Sequence, residues 1–149
     1  MKPAIALIVL VFMTLLLLPT AVYAANPSHV VRLRETQECV NCDLSNAYLI
    51  AANLEGNYML GSNLSKANLK AANLGSARLS RTNLTGANLS LANLNHASLV
   101  LANLTNANLD HADLSYADLL SASLVGVNLN NIKLCQTTLP DGVISNRDC

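Results

Sequence analysis

The sequence predicts an all-β solenoid, a chain wound into stacked coils with its leucines inside. Three observations carry this. Leucine recurs at every fifth position from Leu44 to Leu139, 19 times in 20, with Met59 the exception. The residue two places before each of these positions is Ala in thirteen repeats, from Ala47 to Ala122. Hydrophobic residues make up 52% of the 149, yet aromatics only 3%, with no Trp and one Phe, so the interior must be built from Leu and Ala.

A period of five fits neither regular structure. On an α-helix each side chain advances ~100°, so five steps leave it ~140° off its predecessor and no stripe forms. On a flat strand an odd spacing sends alternate leucines to opposite faces. The leucines meet only if the chain turns by a constant angle after every five residues. A right-angle turn makes four short sides per coil, and positions twenty apart then stack at a strand spacing of ~4.8 Å, giving a regular rod ~24 Å long. The first wall reads Leu44, Leu64, Leu84, Leu104, Leu124; the second Leu49, Leu69, Leu89, Leu109, Leu129. The third reads Leu54, Leu74, Leu94, Leu114, Leu134, and the fourth Met59, Leu79, Leu99, Leu119, Leu139. Backbone groups pair between successive coils, so each coil is the edge of the next.

Segments such as Ala67-Asn68-Leu69-Lys70-Ala71 and Ala112-Asp113-Leu114-Ser115-Tyr116 resemble the pentapeptide-repeat family. The resemblance covers residues 42–141. It implies a right-handed quadrilateral parallel β-helix of about five coils, and a periplasmic or thylakoid-lumen setting for exported, cyanobacterial-type members. Asn57-Tyr58-Met59, Ser98, Val127 and Ile132-Lys133 depart from the motif. Asn57 is the sharpest departure, because an inward amide needs a partner.

Residues 1–24 read as a secretory signal. Lys2 supplies the positive start, Ala4 to Leu18 is apolar apart from Thr14, and Val22-Tyr23-Ala24 offers small residues for cleavage after Ala24. An uncleaved anchor is the alternative, but an apolar run this short falls below a span of ~20 residues. Lys+Arg and Asp+Glu balance at 9 each, and loss of Lys2 leaves a net charge of −1. That balance excludes a strongly basic nucleic-acid binder and a strongly acidic nucleic-acid mimic.

The ends of a solenoid expose backbone groups and need caps. Residues 25–41 break the period. Asn26 and Pro27 signal a helix start, and Val30, Val31 and Leu33 supply an apolar side, so a short helix is expected over the first coil. At the other end Leu139-Pro140-Asp141-Gly142 is a turn signal, and residues 142–149 are expected to fold Val143 and Ile144 over the last coil. Cys39 and Cys42 lie at one end of the rod, Cys135 and Cys149 at the other. A disulfide needs Cα atoms within ~7 Å, so the expected pairs are Cys39–Cys42 and Cys135–Cys149. An exported chain keeps such bonds.

Chemistry-bearing residues are few. Cys39-x-x-Cys42 is open to a thiol-disulfide redox reading, but that chemistry needs an accessible, acidified thiol, and Cys42 takes an inward position. His96 and His111 fall at outward corners, with Asp110 and Asp113 flanking His111 and Tyr116 stacking over His96, on a convex wall without a water-excluding pocket. No catalytic residue, cofactor site or metal site is expected. The outward column Ser45, Ser65, Thr85, Thr105, Val125 on the first wall reads as repeat drift. On the fourth wall Leu60, Val100 and Leu120 share an outward column interrupted by Ser80, with Leu101 beside them. These four residues are the candidate partner surface. The expectation is an exported, non-enzymatic scaffold that binds an unknown protein partner, with no nucleic acid and no membrane after signal cleavage. Its rivals are a thiol-disulfide redox protein using Cys39 and Cys42 and a DNA-mimicking topoisomerase-protecting member of the family.

Overall fold

A computed structural model describes residues 25–149. The expected signal, residues 1–24, lies outside the described residues. Helix α1 (Pro27–Thr36) precedes the repeats, and a two-stranded antiparallel ribbon, β1 (Thr137–Thr138) and β2 (Ile144–Ser145), closes the far end. Between them the chain winds in coils held by single-residue parallel bridges, each joining positions twenty apart. The bridges form four columns. Glu38, Tyr58, Arg78, Ser98, Asp118 and Thr138 make the column of the fourth wall; Asn53, Asn73, Asn93, Asp113 and Lys133 make that of the third.

The corners follow from the backbone. Two residues after each core position from Leu44 to Leu124 the chain takes a positive φ, as at Asn46 (56°), Ala51 (52°), Lys66 (56°) and Leu101 (60°). The residue after that donates its N–H back to the leucine carbonyl, as Ala47 does to Leu44 at 3.1 Å. Such a four-residue turn with positive φ at its third residue is a type II turn. Most of these residues are not glycine, so each corner costs on the order of 1 kcal/mol of strain. The coil-to-coil bonds offset it: Leu44 N–H donates to the Asn63 carbonyl at 2.7 Å, and Asn63 N–H donates to the Cys42 carbonyl at 2.8 Å.

The recurring Asn before each leucine has a local task. Its Oδ1 accepts the N–H two residues on, as Asn63 does from Ser65 at 3.1 Å and Asn93 from Asn95 at 3.0 Å. Its amide then reaches the coil before: Asn93 Nδ2 donates to Asn73 Oδ1 at 3.0 Å. The core is the stack of Leu and Ala, continuous from Leu33 of α1 to Leu134. Leu124, Leu129 and Leu139 are only partly buried, so the stack thins towards its C-terminal end.

One place breaks the ladder. The second-wall column runs Tyr48, Asn68, Asn88, Asn108 and stops, with no bridge from Asn108 to Asn128. His111 N–H reaches the Asn131 carbonyl, 3.1 Å away, one residue beyond the regular partner. Val127, bulkier than the usual Ala, stands just before this gap and is only partly buried.

At the N-terminal end Asn26 Oδ1 accepts from Ser28 N–H at 3.1 Å and starts α1. Asn26 N–H donates to the Asp43 carbonyl, and Asp43 N–H donates to His29 Nδ1 at 2.9 Å. Tyr58 N–H donates to the Gln37 carbonyl at 2.9 Å. Of the apolar residues expected to hold α1 down, Leu33 is fully buried and Val30 partly so, but Val31 is 51% exposed. Asn57 is buried at 2% exposure, but among the described residues the buried side-chain polar atom without a partner is Ser115 Oγ and not an atom of Asn57. Helix geometry points Val31 away from the face that Leu33 uses.

The C-terminal end differs from expectation. Val143 and Ile144 remain 56% and 55% exposed, and polar groups close the last coil instead. Arg147 donates from Nη1 to the Leu129 carbonyl at 2.8 Å and from Nη2 to the Ile132 carbonyl. Asp148 accepts the Leu134 N–H at 2.8 Å. An open coil end presents backbone donors and acceptors, which a guanidinium and a carboxylate satisfy and an aliphatic side chain does not.

Both caps are sensitive to acid. The Arg147 guanidinium and the Leu134 N–H hold the Asp148 carboxyl below its ordinary 3.8. The Ser45 hydroxyl and backbone N–H do the same for Asp43. Because the folded values are depressed, this stabilisation is complete above the unfolded carboxylate range and is lost as pH falls through the folded values. Melting temperature is expected to fall between about pH 5 and pH 2, and Asp148→Asn to flatten part of that slope. An identical acid slope in the variant counts against this cap.

Candidate interaction surface

Leu60, Leu101 and Leu120 project from the fourth wall and its corner, with exposures of 36%, 50% and 42%. Val100, between them, is half-buried. They sit there because the residue after each core leucine, or two after it, must point outward when the leucine points in. The neighbouring column adds polar groups to the same wall. Arg78 lies with its guanidinium carbon 4.8 Å from the Tyr58 ring centroid and donates from Nη1 to the Tyr58 hydroxyl at 3.2 Å. Ser80 and Ser98 hydroxyls meet at 2.9 Å. Asp118 Oδ1 accepts the Leu120 N–H at 3.0 Å. Tyr58, Leu60, Arg78, Ser80 and Ser98 line a shallow depression of about 320 Å³. The wall therefore offers apolar bumps with the Arg78 cation and the Asp118 carboxylate beside them on a rigid support. Arg78 and Asp118 escaped the sequence reading; their signal was the twenty-residue column that places both beside Leu60, Val100 and Leu120.

The cysteines pair Cys39–Cys42 and Cys135–Cys149, with Cα–Cα separations of 5.3 and 4.7 Å. Cys39 and Cys42 are 0% and 2% exposed, which leaves an attacking thiolate no route to either sulfur. Ser62 Oγ accepts the Cys42 N–H at 3.0 Å and donates to the Cys39 carbonyl, tying this pair into the first coil.

The two corner histidines are held apart. His96 stacks on Tyr116 with ring centroids 4.7 Å apart and planes 10° from parallel. His111 Nε2 lies 3.7 Å from Asp110 Oδ2. Among the described residues no three metal-ligating side chains converge. The first-wall hydroxyls are turned to their neighbours: Thr85 donates to Asn83 Oδ1 at 2.6 Å, and Thr105 meets Ser123 at 3.1 Å. No helix among the described residues is long and apolar enough to cross a membrane.

A family model for pentapeptide repeats matches eight copies over residues 38–75, 62–100 and 102–139. The chain is a pentapeptide repeat protein. Solved structures of other pentapeptide repeat proteins share its architecture. Rfr23 of the cyanobacterium Cyanothece 51142 is 29% identical, with a TM-score of 0.53 over 76% of this chain and 95% of that one. A thylakoid-lumen protein of Arabidopsis thaliana is 35% identical, with a TM-score of 0.53 over 65% of this chain and 64% of its own. A protein of Nostoc PCC 7120 is 36% identical, with a TM-score of 0.51 over 58% of this chain and 74% of its own. A search of curated proteins found no significant match. The matched repeats contain Leu60, Val100 and Leu120, and Leu101 falls between two matched spans, so the candidate surface belongs to the repeat rod and not to its caps.

Proposed function

We propose that this pentapeptide repeat protein is an exported, non-enzymatic scaffold, a rigid right-handed quadrilateral rod that docks a protein partner on its fourth wall. The observation that carries the reading is the gathering of Leu60, Val100, Leu101 and Leu120 on one wall of a stiff support. Two disulfides with no free cysteine among the described residues suit an oxidising compartment, the periplasm or the thylakoid lumen. The signal-like residues 1–24 and the likeness to a thylakoid-lumen protein support the same setting. The redox rival needs a sulfur that solvent reaches, and Cys39 and Cys42 offer none. The DNA-mimicking rival needs a strongly acidic surface, and this chain has equal numbers of acidic and basic residues.

The test is the double variant Val100→Glu with Leu120→Glu. Both side chains point outward, so thermal unfolding is expected to shift by less than ~0.5 kcal/mol per site. Partner capture from the native exported compartment is expected to be lost. An unchanged set of captured proteins removes the docking surface from the reading.

A further inference from the structure

We propose that the fourth wall pairs with the fourth wall of a second copy of this chain, the two rods running antiparallel. The inference rests on the reading of this wall as a docking surface and names its occupant. In the bridge column Glu38, Tyr58, Arg78, Ser98, Asp118 and Thr138, Arg78 lies one coil before Ser98 and Asp118 one coil after it, while Glu38 lies three coils before it, beyond the reach of the Thr138 end. Among the described residues neither Arg78 nor Asp118 has an ion-pair partner in its own chain, whereas Asp113 pairs with Lys133 and Asp148 with Arg147. The adjoining outward column reads Leu60, Ser80, Val100, Leu120, Pro140, with Val100 level with Ser98.

Such a wall is complementary to itself. A two-fold axis along the strand direction at the level of Ser98, midway between two facing walls, reverses the rod and keeps each column facing its own copy. Arg78 then faces the second copy's Asp118, and Asp118 its Arg78. Val100 packs on Val100, and Leu101 on Leu101 at the corner. This interface is isologous and closes at two copies. A parallel arrangement instead sets the two Arg78 side chains at one level and the two Asp118 at another, which like-charge repulsion disfavours. The second wall carries a similar series, Lys70, Ser90 and Asp110, with Leu91 at its corner as Leu101 is on the fourth, but a serine where the fourth wall has Val100. The ladder gap at Asn108 also interrupts that wall. The fourth wall is therefore the self-complementary one. A single narrow wall buries less than the ~800 Å² per partner of a standard interface, so the pair forms in a concentration- and salt-dependent way.

Sedimentation equilibrium of the mature chain tests this. The unaltered chain is expected to pass from monomer to dimer as concentration rises, and back towards monomer in high salt. Arg78→Glu and Asp118→Lys are each expected to weaken pairing at least ~30-fold, because each sets like charges face to face at both ends of the interface. Mixed in equal amounts, the two variants are expected to form the heterodimer, since Glu at one position then faces Lys at the other. Lys70→Glu is expected to leave pairing unchanged. Recovery on mixing also shows that both variants are folded. A chain that stays monomeric, a mixture that does not recover, or a dimer lost only with Lys70→Glu overturns the pairing. If the chain is monomeric while Val100→Glu with Leu120→Glu still loses an exported partner, the docking surface stands and only its occupant is wrong. A dimer that survives every fourth-wall variant removes that wall from both readings.

Discussion

Leu94→Asp is expected to prevent folding. Leu94 stands at the middle of the third wall, with Leu54 and Leu74 before it and Leu114 and Leu134 after it, and none of its surface reaches solvent. A carboxylate there has no cation within the stack, and the inward neighbours are Leu and Ala. Burying an unpaired charge, or protonating it and losing the leucine packing, costs more than ~4 kcal/mol. A domain of this size is stable by only ~5–15 kcal/mol in total. Each coil here also supplies the edge that the next one pairs with, so the loss spreads in both directions. Circular dichroism and a thermal melt are the readout, with no cooperative transition expected. Leu94→Met keeps the volume and is expected to cost less than ~1.5 kcal/mol. A Leu94→Asp protein that melts within a few degrees of the parent contradicts the stacked interior.

The second large effect belongs to the C-terminal bridge. Cys135 and Cys149 are fourteen residues apart in sequence, and closing a loop of that length restricts the unfolded chain by about 3 kcal/mol in the entropy model. The bond also anchors the tail that carries Arg147 and Asp148 to the edge of the last coil. Cys135→Ser with Cys149→Ser is expected to lower the melting temperature by about 10 °C. Cys39 and Cys42 are only three residues apart, so Cys39→Ser with Cys42→Ser removes a smaller entropic restraint of about 2 kcal/mol. A calorimetric comparison in which the N-terminal pair proves the more costly reverses this ranking and locates the weaker end at α1.

Much of the fold was legible because one residue type repeats at an interval that fits neither helix nor strand. The inward leucines and alanines follow from that interval; the four walls, and the separation of the cysteines into two end pairs, also need the square cross-section that the resemblance to the pentapeptide-repeat family implies. What stayed hidden depends on interactions that hydrophobic periodicity does not report. Asn63 and Asn93 are recognisable as repeats, but their Oδ1 caps on Ser65 and Asn95 appear only once the corner is built. Val143 and Ile144 look like a lid by hydropathy, yet the open edge is polar backbone, and Arg147 and Asp148 satisfy it. Val31 counts as apolar in a sequence but faces solvent. The candidate surface was legible in its apolar members and not in its charges. Arg78 and Asp118 are forty residues apart, and only the stacking of coils makes them near neighbours.

The missing bridge between Asn108 and Asn128 makes the rod mechanically uneven. Its final turn is attached to the preceding one along three sides and loose on the fourth. The Cys135–Cys149 bond joins that turn to its own tail and not to the turn before it. Under tension or mild heat, peeling is therefore expected to begin at this seam and to proceed towards the amino terminus, one turn at a time. The protein's endurance is set by its least-fastened layer and not by the average quality of its interior.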